Sequence, residues 1–184
     1  MIIVGITGTL GAGKGTIVEY LIREKGFRHY SVRQFLIEKI KEKGLTVNRD
    51  SMTEVANNLR ANHSPSFIIE QLYKEAVANG TNAIIESIRT PGEIEFLKKQ
   101  GKFFLIAVDA DPRIRYDRIT LRASETDNIT FDIFLANEKR EYITSDPNKQ
   151  NLSRCIQLAD IVLQNNGSLN ELNVQLEKQL KVIS

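Results

Sequence analysis

The feature that most constrains the fold is the glycine-rich segment GTLGAGKGT at residues 8–16. It follows an apolar, β-branched run at residues 1–6, which predicts a buried parallel strand, and it leads into a helical pattern that begins at about Lys14. Glycines let the backbone turn its N–H groups inward around an anion, and the following helix adds the positive end of its dipole. Gly8, Gly13 and Lys14 fit the pattern G-x-x-x-x-G-K-S/T, so the sequence predicts a phosphate-binding loop.

The pattern is broken directly after the lysine, where Gly15 replaces the expected hydroxyl residue and Thr16 follows one position late. In the ordinary loop that hydroxyl is a direct Mg²⁺ ligand. Glycine has no side chain to offer, so we expect Mg²⁺ to be held by phosphates and waters, with Thr16 and a carboxylate from elsewhere contacting those waters. The predicted nucleotide-binding residues of the loop are Gly8, Thr9, Leu10, Gly11, Ala12, Gly13, Lys14, Gly15 and Thr16.

Strand and helix patterns alternate along the rest of the 184 residues. Further strands are predicted at residues 27–31, 82–86, 102–110 and 159–163. Helices are predicted at about 14–25, 32–43, 50–62, 65–79, 112–123, 130–143 and 148–158, after Pro91, and after the turn at 165–168. This alternation predicts an α/β fold in which five parallel strands are covered by helices on both faces. No repeat or linker divides the chain, so we expect one domain over residues 1–184.

Composition excludes several classes of protein. The chain has 25 basic and 23 acidic residues, so its charge neither requires nor excludes a nucleic-acid or protein partner. A single cysteine, Cys155, rules out an internal disulfide, and its apolar surroundings predict a packing role. No apolar run reaches the ~18 residues of a membrane helix, so we expect a cytoplasmic protein with no membrane partner.

Two segments carry a resemblance to a known family. GAGKGT resembles the G-x-G-K-G-T loop of adenylate kinase and related nucleoside monophosphate kinases, which are P-loop NTPases. IIESIRTPGE at residues 84–93 is similar to their D-G-x-x-R motif, with Glu86 and Arg89 at the acid and the arginine. The match departs from the motif in Glu for Asp, in Ser87 for Gly, and in one residue fewer before the arginine. The resemblance implies that Glu86 contacts the Mg²⁺ waters and that Arg89 holds the acceptor phosphate.

The resemblance also implies a division of the chain. The core is expected at residues 1–31 and 80–184, a helical acceptor-binding insertion at about 32–79, and a short lid at about 122–145. Arg118 and Arg122 lie four residues apart at the hinge of this lid and are expected to stabilise the phosphoryl group in transfer. Arg115 and Arg140 are further candidates, and the lid has no C-x-x-C pair that would predict zinc.

The acceptor side fits the family pattern least well. Family members usually place an arginine a few residues after a Ser/Thr at the end of the second strand, and here Ser31 is followed by Arg33 out of register. The segment 57–67 offers Arg60 instead, so both arginines remain candidates for the acceptor site. Asp109, at the end of the long central strand, is expected either to position the loop or Mg²⁺ waters or to cap the next helix.

The C-terminal segment ADIVLQNNGSLNEL at 159–172 resembles that of dephospho-CoA kinases, and this resemblance implies that Asn165, Asn166 and Gly167 line the adenine. As a whole the chain resembles the archaeal adenylate-kinase-related proteins. We therefore expect ATP and Mg²⁺ as donor and cofactor, with transfer of the γ-phosphoryl group to a nucleoside monophosphate. One alternative is a dephospho-CoA kinase or another small-acceptor kinase, although this loop has Thr9 where a general base would be needed. Another is a nucleotide-dependent switch or assembly ATPase.

Overall fold

All strands of the described chain run parallel. The computed structural model describes residues 1–124 and 127–181. In this part of the chain the strands are β1 (Ile3–Gly8), β2 (Arg28–Ser31), β3 (Ala83–Glu86), β4 (Phe103–Asp109) and β5 (Ile161–Gln164). They form one sheet in the order β2-β3-β1-β4-β5. Because β1 is central, the loop that follows it lies beside the carboxyl ends of β3 and β4, and Ile6 pairs with Glu86 in the β3 register. The predicted α/β fold is confirmed.

The helices connect these strands and cover both faces of the sheet. They are α1 (Lys14–Lys25), α2 (Val32–Glu42), α3 (Arg49–Asn62), α4 (Phe67–Asn79), α5 (Pro91–Lys98), α6 (Pro112–Arg122), α7 (Phe131–Tyr142), α8 (Leu152–Gln157) and α9 (Leu169–Leu180). Most begin within two residues of their predicted starts. The exception is α8, which begins four residues late because Asp146 forms a turn with Asn148 and Lys149, and because Asn151 caps the helix.

The core has one layer on each side of the sheet. Alternate residues of β1 point to opposite faces, so Ile3 packs with α2, α3 and α4 while Val4 packs with α1 and α9. The helices α2–α4 therefore share a continuous apolar layer with the sheet, although they lie in the predicted insertion. Cys155 is buried in this layer, and burial, followed by the charge of Glu93, raises the pKa of its thiol to about 12. The predicted packing role of Cys155 is confirmed.

Within the described ranges, no helix has the length and apolar character that a membrane span needs.

Candidate functional site

The loop between β1 and α1 has a backbone that favours glycine at three positions, Gly8, Gly11 and Gly13. Gly8 has a φ of 137° and Gly13 a φ of 105°. An added Cβ would lie 2.0 Å from the Val108 carbonyl oxygen at Gly8, and 2.3 Å from Asn165 Nδ2 at Gly13. Gly15 differs, because a Cβ there would meet no atom within 4 Å. Packing therefore leaves room for a serine after Lys14, and the missing hydroxyl is not a steric necessity.

Side chains at or directly after the ends of β4 and β5, and one from α6, contact the loop and fix its position. Thr9 Oγ1 donates to Asp109 Oδ1 at 2.5 Å, and Asn165 Nδ2 donates to the Ala12 carbonyl at 2.8 Å. Arg115 is 2% exposed, donates to the Leu10 carbonyl at 3.3 Å and pairs with Glu138. Asp109 and Asn165 thus position the loop, and Arg115 supports it from beneath. The cap of α6 is Asp111, whose side chain accepts from the Arg113 N–H.

A cavity of about 490 Å³ opens in front of the loop, a volume within the usual range of small-ligand sites. It is bounded by the loop and by residues of α2, α3, the β3–α5 turn, α6 and α7. Among the described residues, seven basic and three acidic side chains line it: Lys14, Arg33, Arg49, Arg60, Arg89, Arg118 and Arg122, with Glu19, Glu86 and Glu141. This excess of positive charge suits a ligand that carries several anionic groups.

Lys14 is folded back onto the loop. Its Nζ donates to the carbonyl oxygens of Gly8 at 2.9 Å and of Thr9 at 2.7 Å. Burial, followed by the nearby Arg89 and Arg49 guanidiniums, lowers the pKa of Lys14 to about 7, against the opposing effect of two glutamates. A phosphate beside this amine would supply the negative charge that its surroundings lack.

Arg89 is joined in the cavity by two residues that the sequence analysis missed. Arg49 Nη2 lies 2.8 Å from Glu141 Oε1, and Arg89 Nη1 lies 3.4 Å from Glu141 Oε2. Arg49 is the first residue of α3, and Glu141 is the last but one of α7. Each charge is unfavourable at its own helix end, since a helix N-terminus favours anions and a C-terminus favours cations. That misplacement was the available signal in the sequence.

Arg60 lines the cavity from the C-terminal part of α3 and is 1% exposed. Its Nε and Nη2 donate to Glu93 Oε1 at 3.1 and 2.8 Å. The other oxygen of Glu93 accepts the backbone N–H groups of Arg89 and Thr90, at 2.7 and 3.1 Å. Glu93 therefore fixes Arg60 and the turn that carries Arg89 as one unit, while Arg60 Nη1 is buried with no partner among the described residues.

The two predicted hinge arginines also line the cavity, and each has other contacts. Arg118 Nη2 lies 3.5 Å from Asn165 Oδ1 and 3.4 Å from the Gly167 carbonyl. Arg122 pairs with Asp127 at 2.7 Å, and this hydrogen bond raises the pKa of Arg122. The lid predicted at 122–145 contains α7, and its residues 125 and 126 lie outside the described residues.

The remaining predicted residues lie at the edge of this site. Ser31 caps α2, and its hydroxyl donates to Glu86 Oε1 at 3.4 Å, so it borders the cavity through Glu86. Arg33 lines the cavity directly. Asn166 accepts from the Asp111 N–H at 2.7 Å and, like Gly167, is outside the lining. Their predicted contact with adenine stays a prediction.

The sequence matches one family model and several known proteins over most of its length. A family model described as an AAA domain matches residues 4–144. A UPF0200 protein of Methanococcus maripaludis strain C7 is 30% identical over 195 residues, covering 100% of this chain and 98% of that protein. One from Methanococcus vannielii is 29% identical over 186 residues, covering 100% and 97%.

Solved structures match at lower identity and support the fold alone. TT1252 from Thermus thermophilus has a TM-score of 0.63 at 20% identity, covering 100% of this chain and 98% of that one. A shikimate kinase from Bacteroides thetaiotaomicron has a TM-score of 0.57 at 11% identity, covering 99% and 98%. A gluconokinase from Sinorhizobium meliloti has a TM-score of 0.57 at 12% identity, covering 100% and 97%. The fold is that of P-loop kinases, and the chain belongs to the family described as an AAA domain and to the UPF0200 proteins.

Proposed function

We propose that the protein is an ATP-dependent phosphotransferase that moves the γ-phosphoryl group of ATP to a nucleoside monophosphate. The observation that carries this proposal is the shared cavity, in which the phosphate loop faces a second group of cations. Arg89 and Arg49 lie across from Lys14 closely enough to lower its pKa. Two phosphates, one on the loop and one on these arginines, would place donor and acceptor side by side.

The chain's own residues supply positioning and charge. The N–H groups of residues 11–16 and the Lys14 ammonium would hold the donor phosphates, and Arg89 would hold the acceptor phosphate. Arg118 makes only long contacts, so it can turn toward the phosphoryl group in transfer, whereas Arg122 must first leave Asp127. An acceptor phosphate is already anionic, so no general base is required.

The residues that line the cavity suit a Mg²⁺ ion that the protein contacts through water molecules. No group of three or more His, Cys, Asp or Glu side chains suited to a metal occurs in the described part of the chain. Thr16 and Glu86 line the cavity, while Gly15 offers no ligand. Thr16 and Glu86 would therefore hold waters of a Mg²⁺ ion that arrives with the nucleotide and neutralises phosphate charge.

A second candidate is transfer to a hydroxyl acceptor, which includes dephospho-CoA. Glu86 favours it, because this carboxylate lines the cavity and is available to accept a hydroxyl proton. His29 Nε2 lies 4.0 Å from the same carboxylate.

One assay tests the proposal and this alternative together. The protein is incubated with ATP, Mg²⁺ and a panel of nucleoside monophosphates, dephospho-CoA, shikimate and gluconate, and the products are resolved by mass. We expect a nucleoside diphosphate as product. Lys14→Ala should lower kcat/KM by about 10²–10³, because the donor phosphates lose their charged partner in a site of low dielectric.

Lys25→Ala is the matched control, since Lys25 is exposed at the other end of α1 and should keep full activity. Folded protein that binds ATP yet phosphorylates no monophosphate would refute the proposed function. Phosphorylated dephospho-CoA would favour the hydroxyl alternative. ATP hydrolysis with no phosphorylated acceptor, together with a co-purifying macromolecule, would instead favour a nucleotide-dependent switch.

A further inference from the structure

Glu141 lies between two guanidinium groups that come from different parts of the fold. Arg49 belongs to α3 and Arg89 to the turn after β3, and each donates to a different oxygen of the Glu141 carboxylate. The three side chains are 17%, 14% and 6% exposed respectively. A carboxylate of the protein therefore lies between two cations on the wall of the cavity that the phosphate loop also lines.

This arrangement does not help the helices that carry it. A cation in the first turn of α3 and an anion in the last turn of α7 each oppose the helix dipole. A second pair between the same helices, Arg140 with Asp50 at 3.0 Å, lies on the surface and joins them without entering the cavity. Two ion pairs therefore join α3 to α7. Only the inner pair, Arg49 with Glu141, faces the cavity.

Two arginines of α3 each have one buried N–H donor without an acceptor among the described residues. Arg49 donates to Glu141 through Nη2, while its Nε is buried with no partner among the described residues. Arg60 Nη1, farther along the same face of α3, is buried and unpartnered in the same sense. A buried donor without an acceptor is unfavourable, because it has lost its hydrogen bonds to water. The Glu141 carboxylate accepts neither of these donors, whereas a phosphate monoester has a third terminal oxygen and carries more charge.

We propose that Glu141 occupies the acceptor-anion subsite when no acceptor is bound, and that a phosphate monoester dianion replaces its carboxylate between Arg49 and Arg89. The inference rests on the proposed function and deepens it, because it assigns Arg49 to the acceptor and requires that the acceptor carry a dianionic group. The fork of Nε and Nη2 on Arg49 matches two phosphate oxygens, and Arg89 takes a third. Release of Glu141 would also free the inner contact between α3 and α7.

The test uses the full chain with its phosphate loop already filled. Saturating MgAMPPNP, a non-hydrolysable ATP analogue, covers the loop, and inorganic phosphate is then titrated by ³¹P NMR. Glu141→Gln removes the competing negative charge but keeps a side chain of the same size. We expect phosphate to bind about 10-fold more tightly to this variant, since two cations lose their internal counter-charge.

Asp50→Asn is the matched control, because it breaks the outer pair between the same two helices without touching the cavity. It should leave the phosphate affinity unchanged. The inference is overturned if Glu141→Gln leaves phosphate binding unchanged or weakens it, or if Asp50→Asn tightens it equally. Should Glu141→Gln fail to fold, Arg49→Gln decides, because it must weaken phosphate binding about 10-fold or more, and wild-type affinity would refute the proposal.

The inference and the proposed function fail separately. Tighter phosphate binding in Glu141→Gln, with no monophosphate phosphorylated in the product assay, would refute the kinase function and leave the subsite standing. Phosphorylation of a monophosphate without that tightening would refute the subsite and leave the kinase function standing.

Discussion

Lys14 is a residue whose chemistry is determined by its surroundings rather than by its position in the motif. A lysine in water has a pKa of about 10.4, whereas burial and then the Arg89 and Arg49 charges lower that of Lys14 to about 7. Without a nucleotide the amine is therefore expected to lose its proton near neutral pH. The phosphates of a bound nucleotide would restore the ordinary preference for the ammonium form.

Nucleotide binding should consequently take up a proton. Above pH 7 the free protein holds a neutral Lys14 and the complex holds its ammonium form, so affinity for MgATP should fall as pH rises from 7, by up to ~10-fold per unit. Calorimetry at pH 8 in buffers of different ionisation enthalpy measures the protons exchanged. Lys14→Met should abolish the uptake, and undiminished uptake in that variant would assign the proton to another group.

At the scale of an element, the turn between β3 and α5 places Ser87 and Arg89 at the wall of the cavity, although its sequence departs from the family motif. Ser87 adopts a φ of 65°, in the region that favours glycine, and it stands where the D-G-x-x-R motif has its glycine. Hydrogen bonds to β1 hold the turn, since Ile88 donates to the Ile6 carbonyl and accepts from Thr7 Oγ1. The turn therefore keeps a backbone conformation that favours glycine, and Ser87 is strained in it.

Relief of that strain should stabilise the protein. Ser87→Gly is expected to raise the free energy of unfolding by about 0.5–1 kcal/mol, because the Cβ penalty at positive φ exceeds the extra chain entropy of glycine. Urea unfolding followed by circular dichroism gives the difference. Ser87→Ala keeps the Cβ and serves as control, with no gain expected. Equal stabilisation by both variants would contradict a backbone origin.

At the scale of the whole molecule, the helices α2–α4 are joined to the sheet by apolar packing and by one buried ion pair. Arg60 of α3 and Glu93 of α5 are 1% and 0% exposed, so neither charge is solvated by water. The pair connects the predicted acceptor-binding insertion to the turn that carries Arg89. Glu93 therefore joins the predicted acceptor-binding insertion to the core.

Removal of one partner should be costly. Arg60→Met leaves the Glu93 charge buried and uncompensated, and we expect a loss of about 3–5 kcal/mol in the free energy of unfolding. The double variant Arg60→Met with Glu93→Gln should recover part of this loss, because no buried charge then remains. Denaturant midpoints of the single and double variants measure both effects. A single variant as stable as the wild type would mean that water or another cation reaches Glu93.

The sequence by itself determined the phosphate loop, the alternating parallel sheet and the place of Arg89, because each is encoded by residues close together in the chain. Tertiary structure alone decided which charges meet. Arg49 and Glu141 are 92 residues apart, and Arg60 and Glu93 are 33 apart, so no local pattern pairs them. A contiguous motif predicts its own backbone, whereas the partner of a charge depends on how distant helices pack against one sheet.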